Sequence, residues 1–293
     1  MTTWGIAGTG MIARAFAASI KDSNNSTLKY VASRSKDNSS KFAKKYECET
    51  IEGYENLLTV DDYDALYIAT PHPQHFELSL KALQKGKAVL CEKPMTMNST
   101  EAMILIEASR KNNATFMEAF MYRTHPQTQK IREIIKEYFL EEPLEIEASF
   151  GFEANVPQEH RLVNPELGGG SILDIGCYPM SMSRMIVGIQ EDKSFSNPVG
   201  IKSKGTLSEK NVDLYAEASL DFANGSKAFI SSSINKSLPN KVTIENTKSK
   251  LEVFEPWRCG EDIGRKSLMT LTHNGKLEEI EFNESIGIFT FEI

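Results

Sequence analysis

Short apolar runs alternate with amphipathic helical patterns over the first 120 residues, and this rhythm restricts the fold more than any other feature of the chain. Trp4-Gly5-Ile6-Ala7 runs into a glycine-rich turn, after which Ile12, Ala15, Phe16, Ser19 and Ile20 recur at helical spacings. Residues 28–32 read as a strand and 36–46 as a helix. Residues 65–69, Ala-Leu-Tyr-Ile-Ala, form a continuous apolar run of the kind buried on both faces of a parallel sheet. A helix over 75–85 stops at Gly86, and 88–91 is the next strand. Asn98 is the expected N-cap of a helix reaching Lys111, with Glu101 three residues later, and 115–117 closes the series. The alternation predicts right-handed crossovers and an α/β, doubly wound Rossmann sheet.

Beyond Arg123 the rhythm changes. A helix is expected over 127–140, ahead of Pro143, and another near 171–187. The remainder reads as strands at 144–152, 199–207, 212–222, 226–234, 241–246, 250–254, 268–273 and 277–282. Asn224-Gly225 and Asn274-Gly275 supply hairpin turns. The expected division is a dinucleotide-binding domain over 1–122 and a substrate and dimerisation domain over 123–293. The second domain is expected to be α+β, with a large, mainly antiparallel sheet. An open sheet of that size predicts a homodimer formed through it.

Composition narrows the function classes. At 293 residues the chain suits two domains of roughly 100–200 residues each. No apolar stretch approaches the roughly 18 residues that cross a bilayer, so no membrane partner is expected. A net charge of −7 (33 basic against 40 acidic residues) disfavours a polyanion, so no nucleic acid is expected either. Cys48, Cys91, Cys177 and Cys259 form no CxxC pair, and no basic, apolar leader follows Met1, which together predict reduced thiols and a cytoplasmic location.

Gly8-Thr9-Gly10-Met11-Ile12-Ala13 is a G-x-G-x-x-A turn set between a strand and a helix. Gly8 permits the tight turn, Gly10 lets backbone approach a pyrophosphate, and Ala13 lets helix and strand pack closely. The helix start at Met11 and Ile12 offers free N–H groups to phosphate. An NAD site places a carboxylate at the end of the second strand, to accept from the ribose hydroxyls. Here Ser33-Arg34-Ser35-Lys36 stands there, and a guanidinium suits a 2′-phosphate, so NADP(H) is expected over NAD(H).

Four ordered motifs carry a resemblance that covers nearly the whole chain. They are Thr70-Pro71-His72-Pro73-Gln74-His75, the Glu92-Lys93-Pro94 that follows a strand, residues 118–123 (Glu-Ala-Phe-Met-Tyr-Arg), and the run from Arg161 to Pro179 containing Gly168-Gly169-Gly170 and Asp174-x-x-x-Tyr178. The chain resembles the glucose-fructose oxidoreductase / inositol dehydrogenase (Gfo/Idh/MocA) family. Within it the chain is most similar to the branch of dimeric dihydrodiol dehydrogenase and NADP-dependent D-xylose dehydrogenase. The resemblance implies an oxidoreductase that moves a hydride between nicotinamide and a CH–OH/C=O carbon of a sugar or cyclic polyol. It implies Tyr178 as acid/base, Asp174 as substrate or relay partner, and Lys93 as the polarising group. Inositol-type members carry histidine where Tyr178 stands. Thr70, Pro71, His75, Glu92 and Lys93 are expected near the cofactor. His72, Tyr122, Arg123 and Arg161 are expected near the substrate, with His125 and His160 as further candidates. Family members continue past a segment like 287–293 into a final helix that the sequence does not include, as in a fragment or in a branch that has shed the element.

Residue chemistry supports the same positions. Lys93 follows a parallel strand at its carboxyl end, where ligands bind in such sheets. Asp174 and Tyr178, four apart, share a helix face. A free phenol titrates near 10, so Tyr178 needs a nearby cation, a part that Lys93 fills if the domains close. Other readings stand beside these. Ser171-x-x-Asp174 is close to a capping box, Tyr178 can be a packed ring, and Pro179 predicts a kink. His72 and His75 have no third partner at ligand spacing, so no metal is expected. A non-catalytic nucleotide sensor or scaffold on the same fold is the rival function. A third reading is transient oxidation that serves elimination or glycoside cleavage.

Overall fold

The computed structural model describes residues 1–259 and 266–293. They form two compact units, residues 1–120 with 289–293, and residues 121–288.

The first unit is built on β1 (Thr2–Ala7), β2 (Ser26–Ser33), β3 (Glu49–Glu52), β4 (Ala65–Ile68), β5 (Ala88–Glu92) and β6 (Phe116–Ala119). They pair in parallel in the order β3-β2-β1-β4-β5-β6. The order reverses between β1 and β4, so the carboxyl ends of these strands frame a ligand crevice. The crossovers are α1 (Met11–Lys21), α2 (Lys36–Tyr46), α3 (Tyr54–Leu57), α4 (His75–Gln84) and α5 (Ser99–Lys111). All four residues of β4 are buried, as its unbroken apolar run predicts. Phe16 of α1 stacks on Tyr67 of β4 at 3.8 Å and meets Trp4 edge-on at 5.2 Å, which seats α1 on the sheet. Each such fully buried apolar side chain contributes about 1.5–3 kcal/mol. Asn98 caps α5 by accepting from the Glu101 N–H at 3.0 Å, and Glu101 accepts in return from the Met97 N–H. The short edge strand β3 was not expected. Three of its four residues are exposed, so no apolar run announces it.

The second unit holds α6 (Pro126–Tyr138), β7 (Glu145–Gly151), a wide turn over Ile172–Gly176 that continues into α7 (Cys177–Gln190), and then β8 (Gly200–Leu207), β9 (Asp213–Asp221), β10 (Lys227–Ser233), β11 (Lys241–Glu245), β12 (Ser249–Phe254), β13 (Ser267–His273) and β14 (Lys276–Phe282). One eight-stranded sheet runs in the order β14-β13-β12-β11-β7-β10-β9-β8. Only its β7–β10 pair is parallel. Both expected hairpins form. Asn274 and Gly275 each have positive φ, as a two-residue turn between β13 and β14 requires, and Gly225 has positive φ in the β9–β10 turn.

One face of the sheet lies under α7, with Ile146, Ala148, Ala228 and Ile186 buried. The other face is open. It carries a hollow of about 730 Å³ lined by alternate residues of β7–β11, among them Glu147, Ser149, Lys204, Glu217 and Phe229. The irregularity expected at Pro179 falls one turn earlier. The Cys177 N–H reaches back five residues to the Ile172 carbonyl, which makes 172–176 a π turn, and α7 runs through Pro179. Among the described residues, no helix is long and apolar enough to cross a membrane.

Candidate active site

In the first unit, the turn between β1 and α1 is a cradle shaped by its glycines. Gly8 has φ +120°, and a Cβ there would lie 2.4 Å from the Ala69 carbonyl oxygen, so only glycine fits. A Cβ on Gly10 would meet nothing within 4 Å, so the space above the turn is open. Gly10 is also the N-cap of α1 and has no side chain to cap with, so the first N–H groups of the helix carry no side-chain cap. This arrangement fits a dinucleotide pyrophosphate. At the end of β2 the buried Ser33 hydroxyl lies 3.4 Å from that of Thr9 and accepts from the Ser35 N–H. Arg34 is exposed beside it. Asp37, the next carboxylate along the chain, is paired with Lys41 at 2.7 Å on the outside of α2.

The loops after β4 and β5 are clipped together. The ring nitrogens of the buried His75 lie 2.8 Å from the Thr70 carbonyl oxygen and 2.8 Å from that of Pro94. Burial lowers the His75 pKa, against the pull of those two acceptors. His75 thus spends its polar atoms on backbone and holds the turn that carries Lys93. Lys93 is half-buried just past β5, and its bond to Pro94 is cis. Glu92 accepts from the Tyr67 hydroxyl at 2.5 Å, and its burial raises its pKa. Glu292, in the 3-10 turn Ile288–Glu292, is pushed well above the usual carboxylate range, first by burial and then by the charge of Glu92. Neither Tyr67 nor Glu292 was anticipated. Apolar spacing hid the first, and a distant sequence position hid the second. Thr70 and His72 are buried, with the His72 and His75 rings 5.7 Å apart.

In the second unit, Asp174 lies on the π turn and Tyr178 on the first turn of α7. Asp174 is 5% exposed and accepts from Arg161 Nη1 at 2.9 Å. Arg161 is half-exposed, so the ion pair carries a buried carboxylate out to an accessible guanidinium. The capping-box reading gives way here. Ser171 has helical backbone and makes no side-chain cap, and its hydroxyl goes instead to Asp213 at 2.8 Å and Ser232 at 3.0 Å. The Tyr178 ring is 4% exposed and is enclosed by Tyr122 (5.8 Å), Phe150 (5.3 Å) and Trp257 (5.9 Å). Trp257 is fixed in turn by its indole N–H, which donates to the Ser149 carbonyl at 2.9 Å. Phe150 and Trp257 were not singled out from the sequence, because partners far apart along the chain have no local signature.

Tyr122, expected near the substrate, is fully buried, and burial pushes its phenol up to about 12. The Nη1 atom of Arg123 and the Nε atom of Arg132 are buried without a hydrogen-bond partner among the described residues. Burial, and secondly the charge of Arg123, lowers the pKa of Arg132. His125 is buried and caps α6: its Nδ1 accepts from the Gln127 N–H at 3.1 Å. The His160 Nδ1 accepts from the Leu162 N–H in its own turn.

A doubly wound sheet with a glycine cradle at its switch point, followed by an eight-stranded domain, defines an NAD(P)-dependent oxidoreductase. Comparison with known proteins gives the family. Residues 2–120 match the model described as "Oxidoreductase family, NAD-binding Rossmann fold", and residues 128–252 match the GFO/IDH/MocA C-terminal domain. The chain is 35% identical over 256 residues to trans-1,2-dihydrobenzene-1,2-diol dehydrogenase of Xenopus laevis, covering 86% of this chain and 75% of that protein. It is 30% identical over 223 residues to D-xylose 1-dehydrogenase (NADP(+)) 2 of Haloferax volcanii, covering 76% and 66%. Among solved structures, KijD10, a 3-ketoreductase from Actinomadura kijaniata in complex with NADP and TDP-benzene, matches with TM-score 0.85 at 24% identity, over 99% of this chain and 86% of that one. Aldose-aldose oxidoreductase from Caulobacter crescentus matches with TM-score 0.86 at 20% identity, over the same shares. The chain belongs to the GFO/IDH/MocA oxidoreductase family.

Proposed function

We propose that the protein is an NADP(H)-dependent oxidoreductase acting at a CH–OH/C=O carbon of a sugar or cyclic diol. The observation that carries this reading is the carboxyl edge of the parallel sheet. There the open glycine cradle, an exposed Arg34 with no carboxylate at the end of β2, and Lys93 past β5 all belong to one unit. The names of the dihydrodiol and D-xylose dehydrogenase relatives support the substrate class, and the NADP named with the second supports the cofactor.

When bound, the nicotinamide supplies or accepts the hydride. The rest falls to the chain. Backbone N–H groups at Met11 and Ile12 hold phosphate, the Gly8–Gly10 turn admits it, and Arg34 with Ser33 grips a 2′-phosphate through charge-assisted hydrogen bonds. Thr70, Pro71 and Glu92 complete the cofactor side, and His75 fixes the turn that presents Lys93. The Lys93 ammonium polarises the substrate oxygen and Tyr178 exchanges the proton. Asp174, held by Arg161, binds a neighbouring hydroxyl or relays the proton. His72, Tyr122 and Arg123 shape the substrate side. The four free cysteines fit a reducing, cytoplasmic setting. The open face of the eight-stranded sheet fits a homodimer.

Steady-state assays that follow nicotinamide absorbance, with aldoses and cyclic diols as substrates, test this reading. The expected result is turnover of at least one of them, with kcat/KM for NADP⁺ at least tenfold above that for NAD⁺. Arg34→Ala is expected to cost roughly 1.5–3 kcal/mol of NADP⁺ binding and to leave NAD⁺ binding unchanged. Equal use of the two cofactors removes the assignment to Arg34. No turnover of any member removes the substrate class.

A further inference from the structure

The helix that carries Asp174 and Tyr178 begins without a cap of its own. Ser171 is already helical, with φ −67° and ψ −34°, and the residue before it, Gly170, whose carbonyl accepts from the Asp174 N–H at 3.1 Å, has no side chain to cap with. The orphan N–H of Ile172 is satisfied from 41 residues away, donating to Asp213 Oδ2 at 2.7 Å. The same carboxylate oxygen accepts the Ser171 hydroxyl at 2.8 Å, and Ser171 lies 3.0 Å from the Ser232 hydroxyl on β10. Ser171, Ser232 and Asp213 thus fasten the start of the helix to two neighbouring strands of the sheet.

Two glycines are shaped around this fastening. Gly170 has φ +124°, and a Cβ on it would lie 2.2 Å from Asp213 Oδ1. A Cβ on Gly176 would lie 2.9 Å from the Ser232 hydroxyl. The residues pinned between these contacts are the π turn, Ile172–Gly176. Five-residue hydrogen bonding widens a helix, so side chains four apart lie closer to one line than in an α-helix. π turns also give up α-helical bonding and persist where the surroundings hold them.

We propose that Asp213 is a positioning residue of the active site: it caps the π turn from β9 and so sets Asp174 against Arg161 and in line with Tyr178. This rests on the roles given above to Asp174 and Tyr178.

The test compares wild type with Asp213→Ala, Asp213→Asn and Ser171→Ala by crystallography and kinetics. Asp213→Ala is expected to turn 172–176 into an α turn and to part Asp174 from Arg161. Turnover should fall about 100-fold and the pH–rate profile should shift, with the NADP⁺ dissociation constant unchanged. Asp213→Asn, which keeps an acceptor for the Ile172 N–H, is expected to recover at least a tenth of wild-type turnover. The double variant Asp213→Ala/Tyr178→Phe should be no slower than Tyr178→Phe alone, because residues that act as a unit are not additive. If Asp213→Ala does not fold, the same readouts in Ser171→Ala decide, with a severalfold loss and a shifted profile expected. An intact π turn and an intact Asp174–Arg161 pair in the variants overturn the proposal, and so do an unmoved pH profile or additive losses. If Tyr178→Phe itself keeps full turnover, the catalytic assignment fails, while the crystal structures still judge Asp213.

Discussion

Tyr178 is enclosed by the rings of Tyr122, Phe150 and Trp257, so replacing it with phenylalanine removes a hydroxyl and leaves the packing alone. Tyr178→Phe should therefore lower kcat by roughly 10²–10⁴-fold, the usual worth of a positioned proton donor. By the same reasoning it should shift the melting temperature by less than about 4 °C, a change of under roughly 1 kcal/mol in a domain this size. Lys93→Met keeps most of the length of the side chain and removes its charge, and a loss of roughly 10²–10³-fold is expected, as for removal of one electrostatic donor. Stopped-flow and melting measurements on the same preparations check both, and near-wild-type turnover in the two variants would end the assignment. At this scale the sequence shows which side chains matter better than it shows what holds them. Ser171-x-x-Asp174 reads as a local box, yet the helical backbone of Ser171 hands the cap to Asp213 and leaves Asp174 to Arg161. Partners 13 and 42 residues away leave no trace in local spacing.

The elements were legible wherever burial imposed a period. The all-apolar β4, the Asn98 cap and the two Asn-Gly hairpins follow from side-chain chemistry alone, and they stand where that chemistry puts them. The exposed strand β3 and the π turn do not. The first has no buried face to mark it, and the second depends on tertiary contacts. The α6 cap carries a pH prediction of its own. The Nδ1 of His125 accepts from the Gln127 N–H, and burial lowers its pKa to about 4 from an ordinary value near 6.5. Below that ordinary value the unfolded chain binds a proton that the folded chain refuses. His125 therefore costs stability as the pH falls from about 6.5 towards about 4, and costs nothing above that window. Asparagine caps helices well and does not titrate there. The difference between the urea midpoints of His125→Asn and wild type should be constant near neutral pH and should move progressively in the variant's favour as the pH falls to about 4. Parallel curves would mean that His125 is not the titrating group.

At the scale of the whole molecule, the unresolved demand is the bare side of the eight-stranded sheet. Eight strands spaced about 4.8 Å apart, each about seven residues long at about 3.3 Å per residue, make a face of roughly 900 Å². Pairing two such faces buries an area in the class of stable interfaces, which centre on about 1,600 Å² in total. Its chemistry suits a two-fold partner, in which the same patch must complement itself. Cross-strand register sets Thr243, Glu147, Phe229, Ser219 and Lys202 in one row and Lys241, Ser149, Ser231, Glu217 and Lys204 in the next. Both rows thus carry both signs of charge around the half-exposed Phe229. A second copy turned through half a circle about an axis at Phe229 would let the two half-exposed rings shield one another from water. Phe229→Asp places an uncompensated charge at that centre without touching the face beneath α7. Sedimentation velocity at micromolar concentration should show wild type as a dimer and Phe229→Asp as a monomer. A wild-type monomer, or a variant dimer of unchanged affinity, would show that this face is covered by something other than its own copy.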